Sequence, residues 1–172
     1  MRIIDYINQG GAIMYILLIL NIVGVAMMIA KFFLFNKEKN LIDERADELK
    51  NKISGNISGK DSNAVIEMTK QELAVHMASM EKGLNTVKII AAVSPLLGLL
   101  GTVLGVLVAF KVMSKTGLSN PQDFAQGISM ALVTTVGGLI VAIPHFIGHN
   151  YLIGMLDHIE NKLEKSLINR IL

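Results

Sequence analysis

The sequence contains no cysteine and no tryptophan. Without cysteine there can be no disulfide, no thiolate metal ligand and no thiol nucleophile. Without tryptophan, the indole belt that often marks a membrane interface is missing too. Charge is scarce as well. Only 17% of the 172 residues are Asp, Glu, Lys or Arg, against about a quarter in a soluble domain. A net charge of +2 offers no electrostatic footprint for nucleic acid. Neither a GxxxxGK phosphate loop nor a GxSxG elbow occurs, so nothing points to an enzyme or a cofactor.

The shortage of charge is local. Segments 10–30, 89–110 and 124–156 contain no Asp, Glu, Lys or Arg. The second of them would be roughly 33 Å long as a helix, enough to cross a hydrocarbon core. The third is too long for one crossing, so its end should leave the lipid as helix. The expected fold is therefore all-α: an integral membrane protein with three transmembrane helices that extend into the cytoplasm.

Orientation follows from the basic residues. Asp5 accompanies Arg2 ahead of the first run, no small-x-small cleavage pattern closes it, and Lys31, Lys37 and Lys39 come at its end. That reads as an uncleaved anchor. Segment 37–88 carries nine Lys or Arg, and the tail carries Lys162, Lys165 and Arg170. The positive-inside rule then places both in the cytoplasm. The expected layout is a periplasmic N-terminus (1–9), transmembrane helices at 10–35, 89–112 and 124–150, a cytoplasmic helical loop (36–88), a periplasmic loop (113–123) and a cytoplasmic helical tail (151–172). The loop holds two helical patterns separated by the Gly/Ser/Asn-rich segment 53–63. In the tail, Leu152, Met155, Leu156, Ile159, Leu163 and Leu167 recur at three- and four-residue steps, so the third helix should continue as an amphipathic one that packs on a neighbour. Lys31 is expected to snorkel to the interface.

Wound as helices, the second and third runs each show one stripe of small residues. Ala91, Ser94, Gly98, Thr102, Gly105 and Ala109 form one; Gly127, Ala131, Thr135, Gly138, Ala142, His145 and His149 form the other. Two readings stand. Small residues allow close helix packing, with Gly98, Gly101, Gly105 and Gly138 as contact points and Gly101–Gly105 a GxxxG match. Alternatively, Thr102 and Thr135, with Ser94, Thr134 and Ser129 nearby, line a pore. Spacing alone favours packing. Exposing two such faces to lipid would also be unfavourable, which argues for a homo-oligomer. Pro95 and Pro144 lie inside apolar runs and should kink their helices.

No Asp or Glu lies within any run, so a proton pathway would need a carboxylate from a partner. His145 and His149 are one turn apart, a spacing compatible with a metal, but no other ligand accompanies them. An interfacial or cavity-facing position, with proton access as a candidate role, fits them better.

The segments SPLLGLLGTVLGVLVAF and GISMALVTTVGGLIVAIP resemble the MotA/TolQ/ExbB proton-channel family, above all its ExbB branch. The resemblance is strong over 89–151 and one of layout elsewhere. It implies a homopentameric ring in the bacterial inner membrane, enclosing helices of an ExbD-like single-span protein that bring the missing aspartate. The work of proton flow would reach a TonB-like protein and outer-membrane uptake. The family's pore threonines fall on Thr102 and Thr135, and its span-two proline on Pro95. Many relatives carry a glutamate where this chain has Met130, a departure that leaves the partner's carboxylate as the sole titrating group and weakens a TolQ assignment. The alternatives are a TolQ-like subunit of a Tol-Pal system or a non-conducting membrane scaffold.

Overall fold

In the computed structural model, the described residues are 3–54, 62–117 and 121–171, and nearly all are helical. The helices are α1 (Ile3–Gln9), α2 (Gly11–Asn40), α3 (Ile42–Ser54), α4 (Ser62–Glu81), α5 (Leu84–Thr116) and α6 (Pro121–Ile171). Three of them, α2, α5 and α6, are long and apolar enough to cross a membrane. The expected helical loop is α3 and α4. Residues 55–61 of the expected linker lie outside the described residues, as do 118–120 of the loop before α6.

Two glycines set the breaks between helices. Gly11 has φ +62° and separates α1 from α2; Gly83 has φ +96° and separates α4 from α5. A side chain at either position would strain the backbone. The prolines break nothing. Pro95 lies inside α5 and Pro144 inside α6, which continues for 51 residues. Each proline removes one backbone donor, and the surrounding ladder of i→i−4 bonds carries the helix past it.

The chain forms two compact units. The first comprises residues up to Ala26 together with Thr86–Gly148. Here α2 meets α5 and α6 through buried Ile13, Leu17, Ile90 and Val141, flanked by Met14, Leu20 and Leu97. Most of the remaining large side chains of this unit stay exposed, including Ile19, Ile22, Leu96, Leu99, Leu107, Leu132, Ile140 and Phe146. An outer surface of that kind suits lipid or another apolar helix.

The second unit comprises Met27–Asn85 and the chain from His149 onward. Its core joins Phe35 of α2, Ala46 and Leu49 of α3, Leu73, Met77 and Met80 of α4, Leu84 of α5, and Leu152, Leu156, Ile159, Leu163 and Leu167 of α6. The amphipathic tail thus packs on helices of its own chain. Each fully buried leucine contributes about 1.5–3 kcal/mol relative to exposure to water.

Polar ties fix the register around that core. The corner after α2 is held by the Leu41 N–H donating to the Glu38 carbonyl at 3.0 Å. The buried Glu38 carboxylate is gripped by both arms of Arg45, from Nε at 3.0 Å and Nη2 at 2.9 Å, while Arg45 Nη1 reaches Glu48 at 2.7 Å. This two-carboxylate grip raises the Arg45 pKa, with the Glu38 hydrogen bond the largest cause. Arg170 of α6 ties to Asp43 at 2.7 Å and to Asp47, both on α3. The guanidinium holds the Asp47 carboxyl below its ordinary range. Lys31 has a fixed partner within the chain. Its Nζ donates to the Met80 carbonyl at 2.8 Å, at the carboxyl end of α4, where unpaired carbonyls and the helix dipole favour a cation.

Arg45→Ala would strand the buried Glu38 carboxylate. Because the Arg45 side chain is itself 35% exposed, the full cost of a buried pair is discounted to about 1–3 kcal/mol. Thermal unfolding of the purified protein should show this loss, whereas Glu48→Ala should change little. The Asp47 tie is predicted to be intact above the ordinary carboxylate pKa and lost as pH falls through the lowered folded value. Acid unfolding followed by circular dichroism should therefore show a shallower acid limb in Asp47→Asn.

Candidate functional site

The small-residue stripes of α5 and α6 face each other inside one chain. The approach is so close that side chains are excluded. A Cβ on Gly98 would lie 2.9 Å from the Thr134 carbonyl oxygen; on Gly105, 2.7 Å from that of Gly127; on Gly138, 2.6 Å from that of Ser94. A Cβ on Gly127 would lie 2.7 Å from the Ala109 side chain. In a membrane, apolar burial does not drive helices together, so such backbone-to-backbone contact, with its dispersion and Cα–H···O attraction, supplies the association. The two stripes thus pack against each other at Gly98, Gly105, Gly127 and Gly138. The subunit itself covers most of these faces and leaves surface at Thr102 and Thr135.

The candidate hydroxyls divide into two groups. Ser94 and Thr134 are fully buried in the seam. Ser94 donates to the Ile90 carbonyl at 2.7 Å, and Thr134 to the carbonyls of Ala131 at 2.9 Å and Met130 at 3.1 Å. Thr134 also fills the space left by Gly101, where a Cβ would sit 2.2 Å from its Oγ1. These two hydroxyls satisfy themselves on the backbone and present no surface outside the chain.

Thr102, Thr135 and Ser129 keep partial exposure. Thr102 donates to the Leu99 carbonyl at 2.6 Å. Thr135 lies 3.4 Å from both the Gly98 and the Ala131 carbonyls, a weak pair of contacts across and along the seam. Ser129 accepts from Gln9 Nε2 at 2.7 Å, which ties α1 to α6. Beside it, the Met130 methyl rests against Gly11, 3.5 Å from where a Cβ would be. A donated backbone hydrogen bond leaves each threonine oxygen free to accept one from water or a partner.

His145 is fully buried, its ring set into a notch at Gly24 of α2. His149, one turn further along α6, is partly buried, and its Nδ1 has no partner among the described residues. No group of three His, Cys, Asp or Glu that could hold a metal occurs among the described residues. The Gly24 notch was not visible in the sequence, since a glycine within an apolar run carries no sign of what will fill its space. The same holds for Gly137, whose missing Cβ admits the Met14 thioether of α2.

The uncharged spans, the glycine seam and the threonines at its margin can be set beside known proteins. The profile of the MotA/TolQ/ExbB proton channel family matches residues 36–165. The chain belongs to this family. It is 43% identical over 86 residues to biopolymer transport protein exbB1 of Vibrio cholerae, covering 49% of this chain and 38% of that protein. It is 39% identical over 92 residues to ExbB of Aquifex aeolicus, covering 51% and 62%. A Synechocystis ExbB-like protein is 32% identical over 161 residues, covering 78% and 77%. The chain thus spans less than two thirds of the Vibrio and Aquifex proteins.

The seam makes a sharp prediction about glycine. Gly138→Ala and Gly105→Ala should each destabilise by about 1–3 kcal/mol, because backbone atoms, not flexible side-chain ends, lie in the way. Gly154→Ala is the control: nothing lies within 4 Å of its Cβ position, and the helix gains up to about 1 kcal/mol from the better helix former. Melting of the three variants in the same lipid or detergent should order them accordingly.

Proposed function

We propose that the protein is a proton-channel subunit of an ExbB-type energy-transducing complex, which draws on the proton-motive force to power TonB-dependent uptake across an outer membrane. Family membership and relatives named as biopolymer transport proteins support this reading. The observation that carries it is the division of the hydroxyls. Thr102 and Thr135 sit at the margin of a glycine seam, hydrogen-bonded to backbone yet still presenting surface, whereas their neighbours Ser94 and Thr134 have none.

In this reading the chain is not a catalyst and holds no cofactor. Several copies, five by family resemblance, form a ring in the inner membrane, with the N-terminus periplasmic and the C-terminus cytoplasmic. The spans carry no carboxylate, so an ExbD-like single-span partner supplies the titrating aspartate, and a TonB-like protein receives the work. Thr102 and Thr135 hold water and donate or accept hydrogen bonds beside that aspartate. By the family resemblance, Met130 stands at a position where many members carry a glutamate, which leaves the partner's carboxylate as the proton carrier.

One observation favours a second reading. The seam fully accounts for the small residues as packing, so the chain could serve as a non-conducting scaffold for its partner. Thr102→Val and Thr135→Val separate the two. A channel subunit predicts that both variants assemble like the wild type, by native mass spectrometry with the ExbD-like protein, and lose TonB-dependent uptake. Normal uptake by both variants would leave the scaffold. A deletion strain with normal uptake and a weakened outer membrane would instead assign the chain to a Tol-Pal type system.

A further inference from the structure

His145 has no role in the reading above, and its surroundings are unusual. The side chain is fully buried in the first unit. Its Nδ1 lies 2.7 Å from the Val141 carbonyl oxygen. A carbonyl can only accept, so Nδ1 carries a proton, and the neutral form of the ring is the Nδ1–H tautomer. Nε2 is then a bare lone pair, and it has no hydrogen-bond partner among the described residues. It points into the Gly24 notch of α2, 2.1 Å from where a Cβ would be, with Ile90 of α5 closing the other side.

No charge compensates this site. In this unit α2 offers only Tyr15, which is exposed and bonded to Asn8. On α5 the nearest ionisable group is Lys88, which is exposed and of the wrong sign to help an imidazolium. Between residues 124 and 156, α6 has no Asp, Glu, Lys or Arg, and its titratable side chain one turn from His145 is His149, which can add only positive charge. A proton added at Nε2 would create a cation and a new N–H donor facing the Gly24 Cα and an isoleucine. Such a group needs water or an acceptor, and neither fits while the notch is closed. The closed α2–α6 contact and the protonated ring therefore exclude each other. By linkage, whatever binds the proton favours separation, and whatever separates the helices favours the proton.

We infer that His145 is a proton-binding latch: its neutral ring locks α2 onto α6 through the Gly24 notch, and capture of a proton at Nε2 releases that contact. The proton comes from water, no bond other than N–H forms, and the change reverses when the proton leaves. The latch belongs to a single subunit and needs neither the partner's carboxylate nor a conducting pore.

The test uses the full-length protein in phospholipid bilayers. The chain has no native cysteine, so Ile22→Cys on α2 and Ile143→Cys on α6, both at exposed positions, give a clean spin-labelled pair. Nitrogen-15 NMR of the imidazoles reports the ring itself, with the other three signals assigned by single His→Gln changes at positions 76, 149 and 158. The expected result is an Nδ1–H neutral ring wherever the short α2–α6 distance is present. As pH is stepped down towards the limit of folding, the ring should become doubly protonated and the short α2–α6 distance should be lost in the same step, and a ring that never takes up the second proton overturns the latch. In His145→Gln the short distance should persist throughout. An Nε2–H tautomer at neutral pH overturns the latch, and so does an imidazolium that forms with the distance unchanged. An equal loss of the short distance in His145→Gln overturns it as well. Should that variant not fold, the two wild-type measurements decide alone. None of these outcomes depends on ion flux, so failure of the latch and failure of the channel reading remain distinguishable.

Discussion

The missing Cβ atoms along α5 and α6 are the constraint on which the first unit depends. Lipid tails are as apolar as leucine, so moving leucine from tail to helix interface gains little. Attraction between these helices has to come from surface contact at short range, and only glycine brings backbones that close. Carbonyl oxygens of Ser94, Gly127 and Thr134 occupy the volumes in which side chains at positions 138, 105 and 98 would sit. Several consequences follow together. Ser94 and Thr134, caught in the seam, must bond their own helices. Thr102 and Thr135, a step to either side, keep surface. The large apolar residues are left on the outside.

The second unit is held by different physics. Its core is leucine- and methionine-rich, and its margins carry ion pairs such as Glu38–Arg45, Lys52–Glu72 and Arg170–Asp43. This is the pattern of a helical bundle stabilised by water exclusion. The contrast explains why the charge is so unevenly distributed along the chain. The first unit has a seam suited to lipid and the second a core suited to water.

Much of this was legible from spacing. The three long helices follow from uncharged runs, and the buried tail residues Leu152, Leu156, Ile159, Leu163 and Leu167 follow from their three- and four-residue steps. The stripes themselves were legible, but their partner was not. A periodic row of small residues specifies that something approaches closely; it does not say whether that is a sister helix, another subunit or a pore. Likewise, two threonines side by side at 134 and 135 are equivalent in sequence. A rotation of one residue along the helix, about 100°, puts the first wholly inside the seam and the second at its edge. The His145–Gly24 pairing is 121 positions apart in sequence and depends on the rotation of two helices, so no local pattern could reveal it.

That rotational detail bears on how a chain with no acidic group in its spans could respond to protons at all. A carboxylate in the membrane is costly and must be paired or hydrated. A neutral histidine is cheaper, because its Nδ1–H can bond the carbonyl one turn back on its own helix, as His145 does with Val141. The remaining lone pair is then hidden by whatever covers it, and here the cover is the smallest residue available. Alanine at position 24 would evict the ring, while a larger notch would admit water and leave the ring solvated whether or not the helices were closed. Glycine alone lets the apposed helix both receive the ring and seal it. The same atomic economy that draws α5 and α6 together thus ties the fit of α2 on α6 to the protonation state of one side chain.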